Sequence, residues 1–589
     1  ISDWSSDVCS SDLCAATYGV GQAQRLQTNA SDTTVSTAVR MDIQQNKVNY
    51  APGETVRFTL EGALPDGAHV RYRYGNAIIG DETLSRPQWT WTPPKDDYRG
   101  YLVELYTKKE SGEPTVLATT AVDVSSDWGR FPRYGFVSDY DKSKTKDVIE
   151  REMAFLNRCH VNGIQFYDWQ YKQHSPLGIN KKGKLFTTYK DIANRQIVTQ
   201  VLQDYIATQH AYGMKAMYYD LCFGTFRDAA KDGVSDRWYI FKDKEHRVKD
   251  GYNLPKDWKS DILIVNPGNK SWQSYFADRS NDVYQHLDFD GFHIDQLGKR
   301  GDVYDYYGEP VDLPAGYATF IEAMKAKNPD RRLVMNSVSS FGAKEIAEAE
   351  KTDFLYNELW EEQDKFSDIH NVIKANSDFC KGKKNTVLAA YMNYRKGFPF
   401  FNTPGVLLTD AVIFALGGAH IELSGDHMLY SEYFPDHKTQ MDSSLRKAIV
   451  GYYDFMTAYQ NLLRDGGKET NVDVSTTDPA VSINAWPPRQ GAVAAYAKTF
   501  DGKEVIQLLN FRQANSMSWR DLDGTMPEPQ LLQNLTLRIK TTGMMSKVWT
   551  ASPDVNGGSP QSLDFHQADG YLTVTLPSLK YWTMLVLER

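Results

Sequence analysis

The segment FDGFHIDQLGKRG, residues 289–301, runs from a glycine through apolar residues into an Asp-Gln pair and a glycine-containing loop. This is the pattern of a buried β-strand that ends at a polar edge. Similar apolar runs lie elsewhere between residues 128 and 465, separated by helical stretches such as 147–158, 195–212 and 318–327. The candidate strands are 134–137, 163–167, 215–219, 291–294, 332–335, 354–357, 387–391 and 419–423.

Alternation of strand and helix predicts parallel βαβ units, and eight such strands are the number that a TIM barrel needs. A doubly wound open sheet is the alternative, but no glycine-rich phosphate loop follows any of the candidate strands. We therefore predict a multidomain α/β protein whose central domain, residues 128–465, is a (β/α)8 barrel.

Both flanks of this barrel show the two-residue alternation of antiparallel strands. In residues 41–127 every second position of the run 56–60 is apolar, and turn signals separate it from similar runs. In residues 466–589 the pair Asp501-Gly502 joins two alternating runs, as in a hairpin. We predict an immunoglobulin-like β-sandwich before the barrel and an antiparallel β-sandwich after it.

Residues 1–40 do not resemble a folded domain. Residues 3–13, DWSSDVCSSDL, look like a translated sequencing adapter, and residues 14–24, CAATYGVGQAQ, look like the tail of a truncated secretory signal peptide. We therefore assign residues 1–40 to an artefact, a signal-peptide remnant and a linker. The protein is expected to be secreted, or to lie in the periplasm or at the cell surface of a bacterium. A lipid anchor on Cys14 is a weaker alternative, because no lipid-attachment box precedes it.

Charge and composition argue against several classes of partner. The 66 basic and 75 acidic residues give a net charge of −9 that is spread along the chain, which disfavours nucleic acid and anionic membranes. No run of about 18 apolar residues occurs, so we expect no transmembrane segment. The five cysteines have neither zinc-site nor disulfide-framework spacing, and no metal or organic cofactor is implied. We expect a monomer.

Polar residues follow most of the candidate barrel strands. In TIM-barrel enzymes the working groups sit at the C-terminal ends of the strands, so these positions are candidates for catalysis and substrate binding. They are Asp139, Asp168, Asp220, Asp295, Asn336, Glu358 and Asn393. An acid at such a position could instead cap the following helix or join a salt bridge.

Two of these acids give the strongest signals. Asp295 closes its strand and shares a face with His293, one layer deeper, because side chains alternate along a strand. Glu358 is followed by Trp360, and a carboxyl group beside an indole in a dry pocket has the raised pKa that a general acid requires. The alternative for Glu358 is a helix N-terminus, because residues 361–362 are also glutamates. Glycoside hydrolysis needs a carboxyl pair, about 5 to 5.5 Å apart in retaining enzymes and farther apart in inverting ones.

At these residues the chain resembles glycoside hydrolase family 66, which contains the endo-dextranases and the cycloisomaltooligosaccharide glucanotransferases. The matching pieces are FDGFHIDQLG around Asp295, YNELW around Glu358, GIQFYDWQYKQH over residues 163–174, and the order of the three predicted domains. The resemblance implies endo-acting, retaining hydrolysis of α-1,6 linkages in dextran to isomaltooligosaccharides. It makes Asp295 the nucleophile and Glu358 the general acid/base.

The same resemblance implies further residues for sugar subsites, where aromatic rings stack on a glucose face and polar groups bind its hydroxyls. Tyr167 and Trp169 could equally pack under a loop, and His293 could be a satisfied histidine of the barrel core. The proposed subsite residues are Tyr167, Asp168, Trp169, His293, Gln296 and Trp360.

Three other functions remain open. The cyclising branch of the family typically carries a carbohydrate-binding module inserted in the barrel, and the predicted barrel of about 340 residues has no obvious room for one. Hydrolysis is therefore favoured over cyclisation. An α-glucan hydrolase or transferase for other linkages is the second alternative, because a barrel with two carboxylates does not name the bond. A cell-surface glucan-binding protein without catalysis is the third.

Overall fold

The computed structural model describes residues 41–392, 398–429 and 439–589. The predicted site residue Asn393 and the N-terminal segment with Cys14 lie outside these residues. No helix in the described part of the chain combines the length and the apolar character of a membrane span.

The first strands of the described chain are β1 Asp42–Gln45, β2 Val56–Glu61, β3 His69–Tyr74, β4 Ala77–Thr83, β5 Gln88–Trp91, β6 Arg99–Lys108 and β7 Pro114–Val124. They form two antiparallel sheets, in the orders β1-β2-β5 and β4-β3-β6-β7. Side chains alternate along β2, so Val56, Phe58 and Leu60 are buried in a shared apolar core and the residues between them are exposed.

The central region contains a parallel sheet and several short strands in the loops above it. Its strands are β8 Tyr134–Val137, β9 Gly163–Phe166, β10 Thr188–Lys190, β11 Gln196–Val198, β12 Lys215–Leu221, β13 Gly224–Thr225, β14 Gly251–Tyr252, β15 Ile262–Ile264, β16 Gly291–Asp295, β17 Arg332–Val338, β18 Leu355–Glu358, β19 Thr386–Ala389 and β20 Ala419–His420.

Eight of these strands pair in the order β8-β9-β12-β16-β17-β18-β19-β20, and all the pairs are parallel. The order follows the chain without the reversal that a doubly wound sheet requires. The Phe136 N–H donates to the Leu423 carbonyl at 3.0 Å, which connects β8 to the segment after β20. The sheet is therefore a nearly closed eight-stranded barrel, and the open-sheet alternative is wrong.

Helices cover the outside of this barrel. They span Lys146–Arg158, Thr199–Ala211, Lys270–His286, Leu313–Lys327, Ala343–Glu348, Phe366–Phe379, Thr403–Ala415, Ser443–Ala458 and Gln460–Leu463. The helix before β16, Lys270–His286, is capped at its N-terminus by Asn269, whose side chain accepts a hydrogen bond from the Trp272 N–H at 3.0 Å. β16 then begins at Gly291, where a Cβ atom would lie 2.1 Å from the Arg332 carbonyl oxygen, so glycine permits the close approach of β16 and β17.

The C-terminal strands are β21 Lys468–Thr470, β22 Val474–Thr476, β23 Ile483–Ala485, β24 Val493–Phe500, β25 Lys503–Asn510, β26 Leu532–Lys540, β27 Lys547–Ala551, β28 Gln561–Ser562, β29 Phe565–Ala568, β30 Tyr571–Leu579 and β31 Trp582–Glu588. One sheet has the order β21-β24-β25-β31-β27-β28, and a second has the order β22-β26-β30-β29. Phe500 pairs with Lys503 across the predicted Asp501-Gly502 turn, which confirms the hairpin.

Buried polar contacts join the barrel to the N-terminal sheets. Arg133, just before β8, forms an ion pair of 2.9 Å with Asp123 of β7, and both side chains are buried. Arg158, at the end of the first helix, contacts Asp454 at 2.7 Å and Asp42 of β1 at 3.0 Å. A buried ion pair that loses one partner leaves an uncompensated charge, so these contacts fix how the N-terminal sheets sit on the barrel.

Candidate active site

The C-terminal ends of the barrel strands surround one pocket. Side chains from β9, β12, β16, β17 and β18 line it, together with residues just beyond the strand ends. The lining residues are Gln165, Tyr167, Tyr219, Tyr252, His293, Asp295, Gln296, Leu297, Asn336, Val338, Tyr356, Glu358, Trp360 and Tyr391. This is the end of a TIM barrel at which active sites are found.

Asp295 is the last residue of β16 and is partly exposed to the pocket. The Tyr219 hydroxyl donates to its Oδ2 at 2.7 Å, and the Asn336 side-chain amide donates to its Oδ1 at 2.8 Å. Burial raises the pKa of Asp295, and these two donors oppose that rise because they stabilise the charged form.

Glu358 is the last residue of β18 and also reaches the pocket. The Tyr391 hydroxyl donates to its Oε1 at 2.6 Å, and the Trp360 indole N–H donates to its Oε2 at 3.0 Å. Burial, and then the negative charge of Asp295, raise the pKa of Glu358 to about 7. Asp295 is therefore the first of the two carboxyl groups to ionise.

Asn336 connects the two carboxyl groups. It lies on β17, between the strands that carry Asp295 and Glu358, and the register pairs Val338 with Glu358. The Asn336 side chain donates a hydrogen bond to Asp295. Hydrogen bonding by Asn336 also lowers the pKa of Glu358. An ionised carboxylate beside a carboxyl group that keeps its proton can attack a carbon centre while the second group protonates a leaving oxygen.

His293 lies one layer below Asp295, as strand alternation predicted. It is 1% exposed, and its Nδ1 is 3.1 Å from the Tyr134 hydroxyl, while its ring lies edge-on to Tyr356 at 4.8 Å between centroids. Burial lowers the pKa of His293 to about 3, so the ring is neutral at pH 7. It forms part of the floor of the pocket.

Gln296 lines the pocket and shapes the loop that follows β16. Its amide donates to the carbonyl oxygens of Asn336 at 3.2 Å and Phe341 at 2.8 Å, and its own carbonyl accepts from the Gly298 N–H at 2.6 Å. Its polar atoms are therefore engaged in holding this loop beside Asp295.

Four residues predicted for the site are not among the lining residues of this pocket. Trp169 is fully buried, packs on Phe289 at 5.1 Å between centroids, and donates its indole N–H to the Tyr219 carbonyl at 3.0 Å. Asp220 is also fully buried and accepts from the Leu221 N–H at 2.8 Å. Asp139 lies just past β8, and its Oδ1 is 4.0 Å from Arg195 Nη1. Asp168 lies just past β9, and its Oδ2 is 3.5 Å from Arg195 Nη2.

Four tyrosines of the pocket were not predicted from the sequence. Tyr219 could have been found by register, because it pairs with His293 on the neighbouring strand and therefore shares its inward face. Tyr356 shares a face with Glu358 by the same alternation. Tyr391 is the last residue of the candidate strand 387–391, although β19 itself ends at Ala389, so its strand-end position could have been used. Tyr252 lies in a short strand of a loop, where no periodic signal is present.

Two clusters of possible metal ligands occur in the described residues, and each contains its own cation. In the first, Lys172 lies 2.7 Å from Asp228 and 2.8 Å from Asp232, and His174 bonds Asp232 at 2.7 Å. A bound ion in the first would have to displace the Lys172 ammonium group.

In the second cluster His420 lies 2.8 Å from Asp410 and 2.9 Å from Glu422, and all three are buried. Burial works against its charge, but the two acids raise the pKa of His420 to about 10. A protonated imidazole has no lone pair for a metal ion, so this cluster is a charge network rather than an open metal site.

Comparison with known proteins places this geometry in a family. The profile of Glycosyl hydrolase family 66 matches residues 45–586. A cycloisomaltooligosaccharide glucanotransferase of Niallia circulans is 27% identical, over 92% of this chain and 71% of its own length. A second one from the same organism is 25% identical, over 93% of this chain and 72% of its own. A dextranase of Streptococcus salivarius is 23% identical, over 83% of this chain and 67% of its own.

The fold is also that of a solved relative. The crystal structure of a Paenibacillus sp. cycloisomaltooligosaccharide glucanotransferase complexed with cycloisomaltoheptaose matches with a TM-score of 0.85 at 24% identity, over 93% of this chain and 99% of that chain. Because the family profile covers nearly the whole chain, this protein belongs to glycosyl hydrolase family 66 and is an enzyme that acts on glycosidic bonds.

Proposed function

We propose that this enzyme cleaves internal α-1,6-glucosidic linkages of dextran with retention of configuration and releases isomaltooligosaccharides. The observation that carries the proposal is that Asp295 and Glu358 reach one pocket from the ends of their strands, where the charge of Asp295 raises the pKa of Glu358. The names of the relatives, a dextranase and two cycloisomaltooligosaccharide glucanotransferases, support the choice of linkage. An enzyme of this family acts on glycosidic bonds, so a glucan-binding protein without catalysis is no longer a candidate.

The proposed reaction has two displacements. An Asp295 carboxylate oxygen attacks the anomeric carbon and the bond to the leaving sugar oxygen breaks, while Glu358 gives its proton to that oxygen. The resulting Glu358 carboxylate then takes a proton from water, whose oxygen attacks the same carbon and releases Asp295. Both carboxyl groups return to their starting states, and two inversions give net retention.

Of the predicted subsite residues, Tyr167, His293, Gln296, Asn336 and Trp360 line the pocket. We propose that they contact the sugar or support the residues that do. The polar lining, which also includes Gln165 and Tyr252, offers donors and acceptors for glucose hydroxyls, and the rings offer flat apolar faces.

Two variants test the assigned roles. Asp295→Ala should lose dextran hydrolysis, and added azide should restore turnover by taking the place of the missing carboxylate. Glu358→Ala should keep turnover on an aryl glycoside whose leaving group needs no proton, while its dextran rate falls by about 10² to 10⁴. Near wild-type dextran hydrolysis by Asp295→Ala would show that the assignment is wrong.

Cycloisomaltooligosaccharide formation is the second candidate, because two of the relatives carry that name. Their alignments run over 706 and 717 positions, more than the 589 residues of this chain. These relatives therefore contain segments that this chain lacks, which favours hydrolysis if cyclisation depends on an inserted module. Chromatography of the dextran products separates the two candidates, since cyclic products have no reducing end.

We further propose domain boundaries near residues 127 and 465, with an immunoglobulin-like sandwich before the barrel and a β-sandwich after it. Paired antiparallel sheets around separate apolar cores on each side support this division. We also propose that the protein is exported, because residues 14–24 look like the tail of a secretory signal peptide. Export fits the proposed substrate, since a polymer such as dextran is met outside the cell. Assay of dextran hydrolysis in the culture medium and in the cells of the source bacterium tests the export, and activity confined to the cells would contradict it.

A further inference from the structure

Loop 511–531, between β25 and β26 of the C-terminal region, reaches the barrel close to the proposed acid/base. The Phe366 N–H donates to the Met517 carbonyl at 3.0 Å, and the Trp519 N–H donates to the Asp364 carbonyl at 2.9 Å. The Trp519 indole also donates to the Gln363 carbonyl at 2.6 Å. Backbone pairing of this kind fixes the loop against the segment that follows β18.

The rest of the loop is anchored on the helix that begins at Thr403. The Asn402 amide donates to Asp521 Oδ2 at 2.7 Å and to the Met526 carbonyl at 2.9 Å. A Cβ atom at Gly405 would lie 2.2 Å from the same Asp521 oxygen, so the close packing of loop and helix requires glycine there. The loop is therefore a rigid support.

Arg520 projects from this support toward the active site. It is 1% exposed, its Nη2 donates to the Leu359 carbonyl at 3.2 Å, and its guanidinium carbon lies 5.4 Å from the centre of the Trp360 ring. That distance is within the range of a cation–π contact. The guanidinium carbon also lies 5.3 Å from the centre of the Trp519 ring, so both indoles are within cation–π range of Arg520.

We propose that Arg520 is a positioning residue, through which the C-terminal region holds the Trp360 indole against Glu358. The inference rests on the proposed function, because it assigns Arg520 an effect on the acid/base step. The Trp360 indole gives its only polar hydrogen to Glu358, so the rotation of the ring decides the geometry of that hydrogen bond. A cation against the ring face opposes rotation and polarises the indole, which strengthens its N–H as a donor.

The charged and titratable groups around Glu358 define the expected change. Asp295 raises the pKa of Glu358, whereas Tyr391, Trp360 and Asn336 lower it by hydrogen bonding. The phenols of Tyr167 and Tyr356 also interact with the carboxylate. Weakening the Trp360 bond removes one of the lowering contacts, so loss of the Arg520 charge should raise this pKa.

The test uses the full chain and the variant Arg520→Met, which keeps the length of the side chain and removes its charge. The pH profile of kcat/KM on dextran should shift its basic limb upward by about half a unit or more. kcat on dextran should fall at least about tenfold, against less than about threefold on an aryl α-glucoside with a good leaving group. KM for dextran should stay within about twofold of wild type, because Arg520 is outside the pocket lining.

Three further variants make the result interpretable. Arg512→Met removes a charge from the same loop and should behave as wild type, whereas Arg520→Lys should lie between wild type and Arg520→Met. Trp360→Phe removes the indole donor directly, and adding Arg520→Met to it should produce no further shift of the basic limb. If Arg520→Met does not fold, Arg520→Lys and Trp360→Phe still decide the question.

An unchanged basic limb in Arg520→Met, or equal losses on dextran and on the aryl substrate, would overturn the inference. Both would mean that the loop supports the fold without affecting the acid step. Failure of the proposed function gives a different result. In that case Glu358→Gln would keep wild-type rates, or the wild-type enzyme would not act on dextran.

Discussion

The phenol of Tyr219 donates a hydrogen bond of 2.7 Å to Asp295, across two neighbouring strands of the barrel. The bond arises from the register of β12 and β16, which pairs Tyr219 with His293, two residues before Asp295. A donor to a carboxylate favours the charged form, so Tyr219 lowers the pKa of a group that burial raises. The strand register thus supplies a contact that favours the charged form of the proposed nucleophile.

Tyr219→Phe should move the acid limb of the kcat/KM profile to higher pH. Asp295 must be ionised to attack, and loss of the phenol raises its pKa, so activity is lost earlier as the pH falls. We expect a shift of about half to one unit and a fall in kcat of about tenfold or more. Tyr218→Phe is the matched control, because the Tyr218 hydroxyl contacts Ser280. An acid limb that stays in place would show that the phenol does not tune Asp295.

Tyr391→Phe should move the basic limb of the kcat/KM profile to higher pH. The Tyr391 hydroxyl is 2.6 Å from Glu358 and lowers its pKa, which is already about 7. Glu358 must hold its proton to protonate the leaving oxygen. Because the substitution raises the pKa of Glu358, this carboxyl group stays protonated to higher pH. The basic limb should rise by about half to one unit while the acid limb changes less. A downward shift would contradict the hydrogen-bond direction.

Asp220→Asn should keep the rate on dextran within about threefold of wild type, because Asp220 is outside the pocket lining. Burial raises the pKa of Asp220 well above its usual range and so favours the neutral carboxyl group, for which asparagine is a close replacement. Steady-state rates on dextran check this. A loss comparable to that of Asp295→Asn would mean that Asp220 takes part in the reaction.

His293→Gln should reduce the loss of stability in acid. The pKa of His293 is about 3 in the folded protein, below the value of about 6.5 in the unfolded chain. Between these values the unfolded state binds an extra proton, so the free energy of unfolding falls as the pH falls, by up to about 2 kcal/mol from pH 6.5 to pH 5.

The midpoint of urea unfolding at pH 7 and pH 5 measures this effect. Wild type should lose more stability between the two pH values than His293→Gln. This comparison does not depend on any pH-independent change that the substitution makes to the free energy of unfolding. Equal losses in the two proteins would show that His293 does not carry the pH dependence.

Much of the architecture follows from local pattern. The eight barrel strands were predicted from apolar runs, and each lies within a few residues of its expected position, although β20 is shorter than the predicted 419–423. β4 has no alternation of buried and exposed residues that a sequence pattern could show, because nearly all of its residues are exposed. Asp295 and Glu358 could be selected because each is the last residue of a barrel strand.

The remainder of the site depends on contacts that no local pattern encodes. Asp220 follows the candidate strand 215–219 in the sequence, but β12 continues to Leu221, and the alternation of side chains places Tyr219 in the pocket instead. Arg520 meets the Leu359 carbonyl across 161 residues of sequence. Such a contact exists only once the C-terminal sheets have docked on the barrel.

The most direct test of the proposed function is digestion of high-molecular-weight dextran by the wild-type enzyme, with polymer size and released sugars followed by chromatography. The account predicts a rapid fall in polymer size with linear isomaltooligosaccharides, and no change with Asp295→Asn under the same conditions. Cyclic oligosaccharides as the main product would move the enzyme to the transferase branch. Intact dextran after prolonged digestion would contradict the proposed substrate.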